Sequence, residues 1–183
     1  MKILKWLLII FISLGLLLVG LYRLMIYQTK KASPEQQWEY VDAGMNIRME
    51  YSSPSVKGRV IFGELVPYGK VWRTGANEAT TFSTATDLNI AGQTLPAGDY
   101  TFWTLPGETE WTLYWNSKQY PWGVNWDSEA SREAEFDVLA ITVPVERTEH
   151  LLEQLTINMV GNAPPMLQLQ WEHTAVRVPI SLN

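Results

Sequence analysis

The sequence predicts an all-β domain, an antiparallel β-sandwich of about nine or ten strands, preceded by one N-terminal transmembrane helix. Three observations lead there. A long uncharged apolar run opens the chain. The rest breaks into short stretches that alternate apolar and polar residues, the period of a strand with one buried face. No long helical period interrupts them, and turn residues recur between them.

Trp6 to Tyr22 reads WLLIIFISLGLLLVGLY, 17 residues without a charge, and LMIY follows Arg23 as far as Tyr27. At about 1.5 Å per residue the stretch 6–27 crosses a hydrocarbon layer of about 30 Å, with Arg23 reaching back to water. Trp6, Tyr22 and Tyr27 stand where interfacial aromatics belong. A cleaved export signal begins the same way, with Lys2 and Lys5 before an apolar core. The large and basic residues after that core (Tyr22, Arg23, Leu24, Met25) lack the small-x-small pattern of a cleavage site, which favours an anchor. A buried soluble helix is the third reading, and the absence of a polar face speaks against it. Flanking charge nearly ties, Lys2 and Lys5 on one side and Arg23, Lys30 and Lys31 on the other. The signal-like start decides for an N-terminus inside and a domain outside the cytosol, periplasmic or extracellular. The chain thus divides into a short tail over 1–5, a transmembrane helix over 6–27, a polar tether over 28–36 (QTKKASPEQ after Tyr27) and the β-domain over 37–183.

The strands come in order. Asn46–Tyr51 sets Ile47, Met49 and Tyr51 against Arg48 and Glu50. Tyr100–Leu105 and Trp111–Asn116 flank Pro106-Gly107, which fits the centre of a type II turn and makes the pair a hairpin. Asn89–Gly98 carries the turn residues of another hairpin. Phe136–Val145 changes phase between Val138 and Leu139, the mark of a bulge. Leu155–Met159, Leu167–Trp171 and Val176–Ile180 alternate again. Trp38–Val41, Thr80–Thr86 and Leu88–Ile90 add shorter strands, and Glu129–Phe136 has room for one helical turn.

Charge and composition narrow the function. There is no cysteine, so disulfides, thiol nucleophiles and zinc–thiolate sites are excluded. Residues 1–31 hold five of the 14 basic residues and no acid, which leaves nine against 19 acidic residues, a net −10. Nucleic acid binding needs the opposite sign. Anionic headgroups repel such a domain as well, so the helix is expected to be its membrane contact.

Tyr51–Thr81 reads YSSPSVKGRVIFGELVPYGKVWRTGANEATT. This stretch, together with Leu95-Pro96-Ala97-Gly98-Asp99-Tyr100, Pro106-Gly107 to Trp111, Trp122-Gly123 and the closing Trp171 to Ile180, closely resembles the bacterial family known as domain of unknown function 2911. The resemblance spans roughly 38–180. It implies an exported β-rich domain and no reaction, since none is established for the family. Two features depart from its pattern. The family usually begins with a cleaved export or lipoprotein signal, and its closing segment tends to carry a basic residue and a Thr-Arg pair where His173-Thr174-Ala175 stands here.

Three constellations are candidates for chemistry. The first is the loop 52–81. Lys57, Arg59, Lys70 and Arg73 fall within 17 residues that contain one acid, Glu64. Glycines allow close backbone approach. Arg73 suits a carboxylate or phosphate through its planar fork. Trp72 suits stacking on a ring, and Asn77 and Glu78 add an amide and a carboxylate. These seven residues (Lys57, Arg59, Lys70, Trp72, Arg73, Asn77, Glu78) make a candidate site for a small anionic or sugar-like ligand. The competing reading pairs Arg73 and Lys70 with Glu64 and Glu78 to pin a long loop. The second constellation is aromatic: nine rings from Tyr100 to Trp126 within 27 residues. Alternation puts Tyr100 and Phe102 on one face and Trp103 on the other, and sets Trp111 and Trp115 against Tyr114. Either Gln119–Asp127 covers the second face or its rings are free to stack on a glycan or a partner protein. The third is catalytic and thin. His150 and His173 lack metal-ligand spacing. No Gly-x-Ser-x-Gly elbow, P-loop or Rossmann fingerprint occurs. Glu64 and Glu78 suit acid–base work only if the fold brings them together. Asp127, Glu129, Glu133 and Glu135 lack the calcium-loop spacing. The expectation is therefore a membrane-tethered binding or envelope-associated module without metal or cofactor. A hydrolase built on Arg73, Asn77 and Glu78 is one alternative, and a scaffold that uses the aromatic face is another.

Overall fold

The structure, a computed structural model, describes residues 2–42 and 44–183. The chain forms two units, 1–32 and 33–183. The first is one helix, α1 (Lys2–Ala32). Its Ile3–Ala32 stretch is long and apolar enough to cross a membrane, and protein covers none of its most apolar stretch. A single N-terminal apolar helix is the form shared by a single-pass anchor and an export signal. Lys30 and Lys31 occupy its last turn, where cations complement the helix dipole. Ser33 and Pro34 end it, because a residue before proline is turned away from the helical region. The stretch 28–36, set apart in the sequence as a tether, is helical to Ala32 and extended from Glu35, with only Ser33 and Pro34 between.

The second unit is antiparallel sheet. β1 (Glu35–Asp42), β2 (Met45–Ser52), β3 (Thr80–Thr84), β4 (Leu88–Ile90), β5 (Gln93–Leu95), β6 (Gly98–Pro106), β7 (Glu110–Asn116), β8 (Asp137–Val160) and β9 (Met166–Leu182) pair in the order β1-β2-β3-β6-β7-β8-β9-β4-β5. Period-two burial runs through it: Met45, Ile47, Met49 and Tyr51 are buried on β2, and Trp111, Leu113 and Trp115 on β7. Cross-strand aromatic contacts tie the core together, with Phe102 and Phe82 edge-on to Trp115 at 5.0 and 5.9 Å.

Two details of the sequence reading appear at their residues. The register of β7 on β8 shifts between Trp115 and Asn116, whose partners are Leu139 and Asp137. Val138 is the extra residue, and it is where the phase changes. The β6–β7 hairpin forms too, but its turn is displaced. Pro106 pairs with Trp111 and the Gly107 N–H donates to the Glu110 carbonyl at 2.9 Å. Glu108 and Thr109 therefore occupy the centre expected for Pro106 and Gly107.

β8 and β9 are folded ribbons. The Ile180 N–H donates to the Pro165 carbonyl at 2.9 Å, and Arg177 Nε to Gln168 Oε1 at 2.7 Å. The two halves of β9 thus lie side by side, with Glu172 at the bend in the left-handed region (φ 56°). β8 passes around that bend, pairing Arg147 with Thr174 and Leu152 with Glu172 across two register shifts. Each half matches one of the short strands read from the sequence between 136 and 180.

One end of the domain receives the chain from the helix. The Pro34 carbonyl accepts from the Ser53 N–H at 2.8 Å, and the Ser33 carbonyl from Asn77 Nδ2 at 3.4 Å. The loop 53–79 leaves β2 and rejoins β3 at this entry end.

Candidate functional site

The loop 53–79 is the longest segment without regular structure, and it belongs to the core. Val56, Ile61, Phe62 and Val66 are buried with the sheet's inner face. Phe62 sits edge-on to Trp111 at 4.8 Å and to Trp171 and Trp72 at 6.1 Å each, and Trp72 stacks on Trp171 at 5.9 Å. Backbone hydrogen bonds fasten the loop along its length. Val56 N–H donates to Glu153 O, Gly69 N–H to Pro106 O, and Trp72 and Thr104 exchange both of theirs at 2.7 and 3.0 Å. Glycine is required at Gly75, where a Cβ would meet the Ser52 carbonyl at 2.7 Å.

The seven predicted residues differ in exposure and in what they touch, and Arg73 and Asn77 both reach Gly123. Lys57 and Lys70 are exposed. The Lys57 N–H donates to Glu153 Oε1 at 2.9 Å. The Arg59 guanidinium turns back onto its own loop, donating to the carbonyls of Val56 at 3.0 Å and Ser55 at 2.6 Å. Trp72 is a wall of the aromatic cluster, and its indole N–H donates to Gly75 O at 3.1 Å. Asn77 is buried, with its amide on Ser33 O and Ser52 Oγ, each at 3.4 Å. Glu78 is half-buried and engaged.

Arg73 differs from all of these. It is half-buried, and its chain lies on Gly123, where a Cβ would fall 2.3 Å from Arg73 Cδ. Among the described residues its guanidinium has no carboxylate within ion-pair distance and no hydrogen-bond partner. Burial alone holds it below the usual guanidinium range. The backbone beyond it is unusual: Thr74 and Asn77 are buried non-glycine residues in the left-handed region, at φ 55° and 59°. Hydrogen bonds hold Thr74 there, from its hydroxyl to Trp72 O and Thr104 Oγ1, and from Thr80 Oγ1 to its carbonyl. Ion pairs from Arg73 or Lys70 therefore do not pin the loop; backbone bonds and buried rings do.

The second face of β6–β7 is covered. Trp103 is fully buried under the segment 117–136, edge-on to Tyr120 at 5.4 Å, with its indole N–H on Thr101 Oγ1 at 2.9 Å. Arg132 lies 3.8 Å over the Tyr114 ring and pairs with Asp137. Asn116 Nδ2 donates to Glu133 O and Asp137 Oδ1 at 2.8 and 2.9 Å. Gly123 N–H donates to Asn77 O at 3.0 Å, which joins this strap to the other loop. The strap leaves one ring, Trp126, fully exposed at its tip.

A separate open groove of about 410 Å³ crosses the outer face of β2, β3 and β6, lined by Arg48, Glu50, Thr81, Ser83, Asp99, Tyr100 and Gln119. None of the predicted residues lines it. Its signal in the sequence is only the polar half of three alternating strands, which any solvated sheet face shows. Among the described residues no group of His, Asp and Glu is placed to hold a metal ion.

Residues 33–180 match the model of the family described as "Protein of unknown function (DUF2911)", the family whose motifs fill Tyr51–Thr81. No curated protein and no solved structure matches the chain.

Proposed function

We propose, from the premise that the chain belongs to the DUF2911 family of proteins of unknown function, that it is a membrane-anchored, non-enzymatic binding module whose β-domain lies outside the cytosol and receives a small anion on Arg73. The observation that carries this reading is the half-buried guanidinium without an anionic partner, in a chain with 19 acidic residues from which to supply one. A buried charge left unpaired costs stability, and a bound carboxylate or phosphate offsets that cost through a bidentate fork. The left-handed residues Thr74 and Asn77 add support, since backbone strain of this kind gathers at ligand clamps. A hydrolase on Arg73, Asn77 and Glu78 lacks such support, because the Asn77 amide is turned into the frame.

The test is a thermal-shift screen of the full chain in detergent against small carboxylates, phosphates and uronic acids, with Arg73→Met beside it. A ligand at about 100 times its dissociation constant adds about 2.7 kcal/mol, roughly 5–10 °C for a chain of this size. The Arg73→Met protein should melt higher than wild type without ligand and respond to none. A variant that melts lower and keeps every response overturns the reading.

A further inference from the structure

Trp126 is 103 % exposed, yet hydrogen bonds fasten the turn that carries it. Asn125 N–H donates to Glu129 O at 2.8 Å, and Asn125 Oδ1 accepts from the N–H groups of Asp127 and Glu129 at 3.0 Å each. Val124 bridges to Ala130 beneath it. A rigid turn that holds an indole wholly in water presents it to something, because so large an apolar surface is costly to leave wet.

Its connections in the fold lead back to the helix. Trp126 stands three residues from Gly123, Gly123 is bonded to Asn77, and Asn77 to Ser33, the first residue after the helix. Three further exposed apolar side chains belong to the segments that fasten this end, whereas Val41 and Leu182 are exposed at the far end of β1. Val60 and Leu65, 51 % and 45 % exposed, are joined by a backbone bond on the loop 53–79. Leu151, 50 % exposed, lies where β8 rounds the bend of β9, four residues from Leu155, whose carbonyl accepts from Ser53 Oγ. Only Ser33 and Pro34 separate this end from a helix that runs to Ala32. The helix continues five residues past Tyr27, about 8 Å at 1.5 Å each.

We infer that the entry end of the β-domain seats on the lipid–water interface, with Trp126 as the principal contact and Val60, Leu65 and Leu151 as secondary ones. Tryptophan is the side chain that interface favours. Asp127, Glu129, Glu64 and Glu149 are near neighbours of these residues in the sequence, so the surface that fits is zwitterionic, and anionic lipid weakens the contact. This refines the expectation that the helix alone touches the membrane, and it rests on the helix being an anchor.

The chain has no cysteine, so single cysteines report cleanly. Full chains carrying Asp127→Cys or Ser181→Cys, each labelled with an environment-sensitive fluorophore, are reconstituted into phosphatidylcholine vesicles. Ser181 is exposed beside Leu182, which touches Gly44 between β1 and β2, at the far end of β1 from Ser33. Flotation with the vesicles reports the anchor, and quenching by brominated lipid reports the seating. The expected result is a blue-shifted and quenched label at 127, an unquenched label at 181, loss of the 127 signal with Trp126→Ala, and a weaker signal when phosphatidylglycerol is added. A chain that floats while its 127 label stays unquenched overturns the seating and leaves the anchor standing. So does a 127 signal indifferent to Trp126→Ala. A chain that does not float overturns the anchor and the seating with it.

Discussion

The loop 53–79 and the strap 117–136 are two long irregular segments that do opposite work. The first inserts Val56, Ile61, Phe62 and Val66 into the core and is fastened by backbone bonds to β6 and β8. The second stays outside the sheet and covers one large ring, Trp103, with a polar net of Arg132, Asp137, Lys118, Glu133 and Asn116. The first is thus a piece of the fold without regular structure, and the second is a cover. The difference explains why basic residues on the inner loop are scattered: its backbone follows the demands of packing, and side chains such as those of Lys57 and Lys70 point wherever that path leaves them.

Four perturbations bear on the contrast. Phe62→Ala removes the ring at the centre of the inner loop and should cost about 3–5 kcal/mol of global stability, read by chemical denaturation. Arg132→Ala should cost about 1.5–3 kcal/mol, the range for hydrogen bonds to charged groups. It should also act locally, with faster hydrogen exchange at Ser117 and Glu133 and little change in the amides of β2. Equal loosening of both regions would erase the distinction between core piece and cover. Gly123→Ala attacks the joint, where the new Cβ meets Arg73 Cδ at 2.3 Å and Cβ at 2.8 Å, and overpacking of this kind costs about 1–3 kcal/mol. Adding Arg73→Ala should return part of that loss, and a strictly additive pair would mean that the two segments do not bear on each other. The smallest effect is confined to alkaline solution. Burial raises the Tyr51 phenol above 10.0, partly offset by the bond from the Ile157 N–H. The unfolded chain therefore ionises first. The contribution is whole below about pH 10 and falls away as the pH climbs through the folded value. Tyr51→Phe should flatten that alkaline decline while removing one acceptor at neutral pH.

The fold was legible in the sequence wherever the controlling pattern is local. Alternation found the strands of β2, β6 and β7, and the phase change found the bulge at Val138. Alternation also put rings on both faces of β6 and β7 and so asked for a cover, but it left open whether Gln119–Asp127 supplied one or the rings stayed free. The candidate site was less legible, because partners far along the chain decide it. Nothing near Trp72 announces that Trp171 stacks on it, nor that Arg59 turns onto its own loop while Arg73 is left without an anion. Composition therefore put seven residues in one site, and among the described residues Arg73 is the half-buried cation of that set with neither a carboxylate nor a hydrogen-bond partner. Polarity marks 28–36 as surface without fixing its local structure, and Gln, Lys and Ala are good helix formers that prolong the apolar helix until Ser33-Pro34 stops it.

The inner loop also sets an order on assembly. Its anchoring partners, Glu153 and Leu155, lie about a hundred residues further along the chain, and Trp171 later still. Contacts this distant in sequence form late. As the chain is synthesised, β6 and β7 offer Phe62 and Trp72 their first surface, and the segment stays partly uncovered until the folded ribbon of β8 and β9 is complete. A truncated or stalled product would hold those residues in water, which makes the last third of the chain the step that removes a sticky segment from circulation.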